Sequence, residues 1–238
     1  MIHNKIHFLG SEFTKSDYNS SKIVFIPAPY EYTTSYYKGT KLGPKKILEA
    51  SQQLEIFDSE LNLSLQDNIF TLKELEFKYR SQEEDLNLIQ KAVLKELENQ
   101  KWPIILGGEH TITGPIIQAF KEYYQSDFGV VHFDAHFDLR DTYLGEKLSH
   151  ATMLRRVREQ TKSTLSLGVR SFSKEERDHA LAENILYVTD KELSQSVDLG
   201  VYLKRLPEQV YLTIDLDFFD LGIFPGVGTP VPGGLGWW

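Results

Sequence analysis

The chain has 238 residues, 41% of them hydrophobic, with a formal charge of −8 and no cysteine. This suffices for one large α/β core, while the acidity argues against binding nucleic-acid phosphates and the missing thiols exclude disulfides, thiolate metal sites and cysteine nucleophiles. The N-terminal MIHNKIHFLGSEF has no signal-peptide pattern, and no apolar run reaches the roughly 20 residues that span a bilayer, so a cytoplasmic protein without a membrane partner is expected.

In chain order, KIVFIPAP (22–29) predicts the first strand. GPKKILEASQQLEIFD (43–58) predicts a helix opened by Pro44, with Ile47, Leu48, Leu54, Ile56 and Phe57 facing inward. Gln82 to Asn99 predicts a second helix, with Leu86, Leu88, Ile89, Val93, Leu94 and Leu97 at helical spacing. Further strands are read at 102–108, 128–136, 163–169, 185–188 and 209–217, and Ser173 with Glu176 forms a capping-box pattern between two of them. Short apolar runs alternating with helical stretches predict βα units around a mostly parallel sheet. No composition shift or linker divides residues 1–238, so a single domain is expected, with PGVGTPVPGG (225–234) as a shaped loop.

Three strand ends carry polar clusters: GGEH with Glu109 and His110, DAHFD with Asp134, His136 and Asp138, and DLD with Asp215 and Asp217. Alternation along an extended chain would turn Asp134, His136 and Asp138 to one face. Carboxylates buried together repel and lose hydration, and divalent cations supply the missing charge. Aspartates with histidines and no soft sulfur suit ions such as Mn²⁺, which bridging carboxylates would hold roughly 3.5–4 Å apart with an activated water between them.

His150, in SHAT, reads either as an exposed residue after Ser149 or as a proton shuttle near that centre. His132 reads as a core histidine; His3, His7 and His179 as surface or loop residues; Asp220 as a loop shaper. Arg155 and Arg156 read as a solvated helix face or subunit contact. Glu109 either packs at its strand end or supports His110.

At these residues the chain closely resembles the ureohydrolase family, the dimanganese enzymes that include arginase and agmatinase. GGEHTIT, DAHFDLR, SHAT and DLDFFD occur in the family's order, and the likeness extends to PYEYTTSYYKGTKLGPKKILEAS, GVRSFSKEE and PGVGTPVPGGLGWW. The resemblance implies two Mn²⁺ per chain held by His110, Asp134, His136, Asp138, Asp215 and Asp217, with His150 and Asp138 catalytic. It implies a three-layer α/β/α sandwich assembled as a homo-oligomer, trimer or hexamer. The agmatinase branch is the nearest, so the implied reaction is attack of a bridging hydroxide on a guanidinium carbon of a small cationic substrate, agmatine, giving putrescine and urea.

Alanine follows His150 where many members have glycine. Family members also continue through a further helix and strand bearing a glutamate that contacts the guanidinium, whereas this sequence ends at Trp238. The expectation is therefore a ureohydrolase-like domain C-terminally incomplete relative to the family, with the last strand missing and an apolar sheet edge exposed. The alternatives are an arginase or another guanidino-acid ureohydrolase, and a truncated, catalytically silent metal-binding protein. A two-metal phosphatase lacks a basic clamp near the motifs.

Overall fold

Strand β1 (Ile23–Ala28) is buried along nearly its whole length, as an apolar run flanked by parallel neighbours must be. The structure is a computed structural model that describes residues 6–10, 12, 17–65 and 68–237; His3 lies outside them. The chain divides into two compact units, Met1–Tyr32 with Gly39–Tyr123 and Thr33–Lys38 with Tyr124–Trp238.

In the first unit, helix α1 (Gly43–Ala50) opens with Pro44 as expected, then tightens into a 3₁₀ turn and stops where Leu54 becomes extended at φ −89° and ψ 143°. The helix read through residue 58 is thus too long. Buried Ser51 ends it, donating to the Leu48 carbonyl (2.8 Å) and accepting from Leu9 N (3.1 Å). Leu54 and Phe57 are exposed, and Phe57 belongs to a two-residue strand, β2 (Phe57–Asp58), paired antiparallel with β3 (Leu63–Ser64).

Strand β4 (Ile69–Thr71) has no counterpart in the sequence reading; it lies parallel to β1, whose other flank takes β5 (Trp102–Gly107), giving the order β4-β1-β5. Between them runs α2 (Gln82–Glu98), where the Ser81 hydroxyl accepts from Glu84 N and Glu83, Glu84 and Asp85 lie at the positive end of the helix dipole. Leu86, Ile89, Val93 and Leu97 are buried in one stripe, each contributing about 1.5–3 kcal/mol by leaving water. Helices α1 and α2 pack on β1 and β5, and α3 (Thr113–Tyr124) follows a 3₁₀ turn at His110–Ile112. Gly108 passes so near the Tyr30 carbonyl that a Cβ would sit 1.9 Å from its oxygen, which explains the glycine before GGEH's charged pair.

In the second unit β6 (Gly129–Phe133) is central, between β7 (Thr164–Val169) and β9 (Val210–Ile214), with β8 (Leu186–Thr189) outside β7, all parallel in the order β8-β7-β6-β9. Val131, Leu165, Leu167, Val188 and Phe218 form its core. The short α4 (Met153–Val157), α5 (Lys174–Ala182), α6 (Asp190–Ser194) and α7 (Gly200–Leu203) connect the strands. The Ser173–Glu176 capping box opens α5 as read. Among the described residues β5 and β9 end their sheets, and they leave Trp102 and Ile104, and Val210, Leu212 and Ile214, exposed.

Candidate metal centre

Strand β6 stops at Phe133, and the residues after it are shaped by other segments rather than by continued extension. Asp134 N donates to the Leu167 carbonyl (3.1 Å), and the Ala135 carbonyl accepts from Arg170 N (2.8 Å) and Ser171 N (2.9 Å). Glu176 accepts from Leu139 N (3.1 Å). Asp138 adopts φ 54°, a left-handed conformation that aspartate tolerates better than most residues. A folded loop, not the strand face expected from alternation, therefore presents these side chains.

Asp134, His136 and Asp217 bring ligand atoms within 4.8 Å of one another. His136 Nδ1 lies 3.3 Å from Asp134 Oδ1 and 3.0 Å from Asp217 Oδ2, with both carboxylates buried. Asp134 Oδ1 also accepts from His136 N (2.6 Å), and Asp217 Oδ1 from Ala135 N (3.0 Å). Asp217 comes from the 3₁₀ turn Leu216–Phe218 after β9, capped by Asp215, whose Oδ1 accepts from Asp217 N (3.1 Å). Gly168, at φ 89° in the β7 bulge, leaves room for the Phe218 ring beside that turn; a Cβ there would lie 2.3 Å from it.

His132, Asp134 and Asp138 also offer atoms within 4.8 Å of one another. His132 is fully buried, with Nε2 2.9 Å from Asp134 Oδ2 and Nδ1 3.1 Å from Ser166 Oγ. Facing a carboxylate, Nε2 donates, which leaves Nδ1 to accept the serine hydroxyl. The core reading of His132 holds, but the sequence reading missed that it orients Asp134. The i, i+2 spacing of His132, on β6, and Asp134, just beyond its end, was the available signal.

The remaining expected residues fall as follows. Asp215 caps its turn and joins neither group of converging atoms. His110 is buried in its 3₁₀ turn in the first unit, and Glu109 accepts there from Tyr32 N (2.7 Å) and Thr111 Oγ1 (2.6 Å), packing at its strand end. Asp220 accepts from Gly222 N (2.8 Å), shaping its loop as read. Arg156 departs from the solvated helix face: it is buried against Asp141 (2.9 Å) and Glu159 (2.8 Å).

His150 opens a 3₁₀ turn held by a Ser149–Thr152 capping box. Thr33 Oγ1 accepts from His150 N (3.3 Å) and lies 3.3 Å from Nδ1; Ser35 Oγ lies 3.4 Å from Nε2, and the Tyr143 ring meets the imidazole edge-on. Thr33 and Ser35 lie in a stretch noted only for its family likeness, and nothing in the sequence tied them to His150.

Burial alone would lower the pKa of His136, but hydrogen bonds to Asp134 and Asp217 and their charges outweigh it and push the imidazole up to about 11. Burial and the Asp134 charge raise Asp217, partly offset by His136. Two buried carboxylates thus share one cationic imidazole, a set of oxygen and nitrogen donors that a divalent ion fits, since it replaces the proton and balances the remaining charge. For the metal-free chain the sign follows from the raised value: the His136 interaction is complete below about 6.5 and is lost as pH rises towards about 11. The metal-free melting temperature should fall across that window, and His136→Asn should flatten the fall; an equal slope in both proteins would refute the assignment.

A profile of the arginase family matches residues 21–238. The chain is 38% identical over 239 residues to the N(1)-aminopropylagmatine ureohydrolase of Synechocystis sp., covering 97% of this chain and 78% of that one. It is 34% identical over 225 residues to the agmatinase of Bacillus subtilis, covering 93% and 77%. The crystal structure of agmatine ureohydrolase from Thermoplasma volcanium superposes with a TM-score of 0.86 at 28% identity, over 98% of this chain and 79% of that one, in keeping with the expected α/β sandwich. On the extent of these matches, the chain belongs to the arginase family.

Proposed function

We propose that this arginase-family ureohydrolase cleaves the guanidino group of an agmatine-type cation, releasing urea and leaving the amine. The observation that carries the reading is the pair of buried carboxylates, Asp134 and Asp217, converging on His136 from the ends of adjacent parallel strands, a costly arrangement that no packing role requires. The resemblance and the family membership support two Mn²⁺ ions held by His110, Asp134, His136, Asp138, Asp215 and Asp217. When bound, such ions supply Lewis acidity and a water reactive at neutral pH.

The chain's own residues do the rest. Asp138 accepts a proton from the attacking water, and His150, steadied by Thr33 and Ser35, passes a proton to the departing amine. The formal charge of −8 favours a cationic substrate. Family likeness supports a cytoplasmic homo-oligomer, trimer or hexamer.

Similarity to both an aminopropylagmatine ureohydrolase and an agmatinase favours testing two tail lengths. Urea release from agmatine, N(1)-aminopropylagmatine and arginine should be measured on the manganese-loaded chain. Turnover of either amine with little of arginine is expected, because an amino acid's carboxylate needs polar partners of its own. Preference for arginine would replace this reading with an arginase, and metal uptake without any turnover would support the silent metal-binding protein.

A further inference from the structure

Arg170 follows β7 directly, and all its hydrogen-bond acceptors are backbone carbonyls. Nε donates to Pro232 O (3.2 Å), Nη1 to Gly168 O (3.3 Å) and Phe218 O (3.3 Å), and Nη2 to Asp217 O (2.6 Å) and Val231 O (3.2 Å). The five N–H groups of a planar guanidinium are thereby matched to carbonyls on three segments: the β7 bulge, the Asp217 turn and the glycine-rich loop. That loop is drawn in closely. Gly233 has φ 93°, and a Cβ there would lie 2.8 Å from Asp190 Oδ2 and 3.3 Å from Arg170 Cδ.

The same loop delivers a side chain to the centre. Thr229 Oγ1 donates to Asp217 Oδ2 (3.3 Å), the oxygen that also faces His136 Nδ1 at 3.0 Å. If His136 turns that nitrogen to an ion, Thr229 remains as the donor on Oδ2. Arg170 holds both ends of this contact, gripping the Asp217 backbone on one side and residues 231–232 on the other.

We infer that Arg170 is a positioning residue for metal uptake: by tying the Asp217 turn to the 229–234 loop, it keeps the Thr229 hydroxyl on Asp217 and fixes the carboxylate's orientation. The inference rests on the metal reading above. It concerns residues outside the ligand set and assigns PGVGTPVPGG a role at the centre rather than at the surface alone.

The test is Mn²⁺ affinity, measured by titration calorimetry on the full chain for the unsubstituted protein, Arg170→Met, Thr229→Val, Thr229→Ser and the double variant Arg170→Met/Thr229→Val. Loss of residues that orient metal ligands weakens binding about 10- to 100-fold, and that loss is expected for Arg170→Met. Thr229→Val should weaken binding by a comparable factor and Thr229→Ser should retain it. The double variant should bind no more weakly than Arg170→Met alone, because Arg170 acts through the threonine contact. Affinity unchanged in Arg170→Met, or losses that simply add in the double variant, would overturn the inference. Should Arg170→Met not fold, the threonine pair decides: a loss in Val restored in Ser supports the coupling, and no loss in Val refutes it. Failure of the unsubstituted chain to bind manganese would sink the metal reading, and this inference with it.

Discussion

Asp217→Asn should remove metal-dependent hydrolysis at a much smaller cost to the metal-free fold. Asparagine keeps the shape: its oxygen can still accept from Ala135 N, and its amide can donate to Thr229. What it removes is a negative charge that burial, and then the neighbouring Asp134, disfavour, together with part of the attraction that holds His136 protonated. In the metal-free chain these two effects oppose each other, and Asp134 still faces His136, so the net loss is the smaller one. The loaded chain loses an anionic ligand, and breaking a buried charge set costs about 3–5 kcal/mol, roughly 10²- to 10⁴-fold in affinity or turnover. Melting curves with and without manganese separate the two effects. The metal-induced rise in melting temperature should vanish in Asp217→Asn, whereas a rise equal to that of the unsubstituted protein would remove Asp217 from the ligand set.

His150→Asn is the second large effect. A positioned general acid contributes about 10²- to 10⁴-fold, so kcat should fall by that factor while manganese affinity and KM change little. A guanidino substrate whose leaving amine needs no protonation should recover most of the lost rate, because only proton delivery has been removed. Thr33→Val should produce a smaller loss in kcat and Thr33→Ser almost none, since the hydroxyl at Nδ1 steadies the ring. An unchanged kcat in His150→Asn would return His150 to the surface role that its position after Ser149 also allows.

The six strands read from the sequence are present because each is an apolar run long enough to pair in a parallel sheet, although β5 and β9, at the sheet edges, leave much of theirs exposed. Strand β4 escaped notice since IFT is only three residues long and its pairing with β1 depends on residues more than forty positions away. The first helix was overextended for a similar reason: apolar residues continue at helical spacing to Phe57, but the tie from Ser51 to Leu9 ends the helix earlier. At the centre, the identities of Asp134, His136 and Asp217 were legible from charge clustering alone. The turn at Asp138, the Ser166–His132–Asp134 chain and the grip of Arg170 were not, because carbonyl acceptors and left-handed backbone leave no residue pattern of their own.

The left-handed backbone at Asp138 also governs how substitutions there should be read. Alanine at φ 54° would incur a local conformational penalty on top of losing a carboxylate, so a dead Asp138→Ala enzyme would confound chemistry with folding. Asparagine accepts that geometry almost as readily as aspartate. It is therefore the informative replacement: any activity it loses reports on the charge, and any stability that alanine loses beyond it measures the turn.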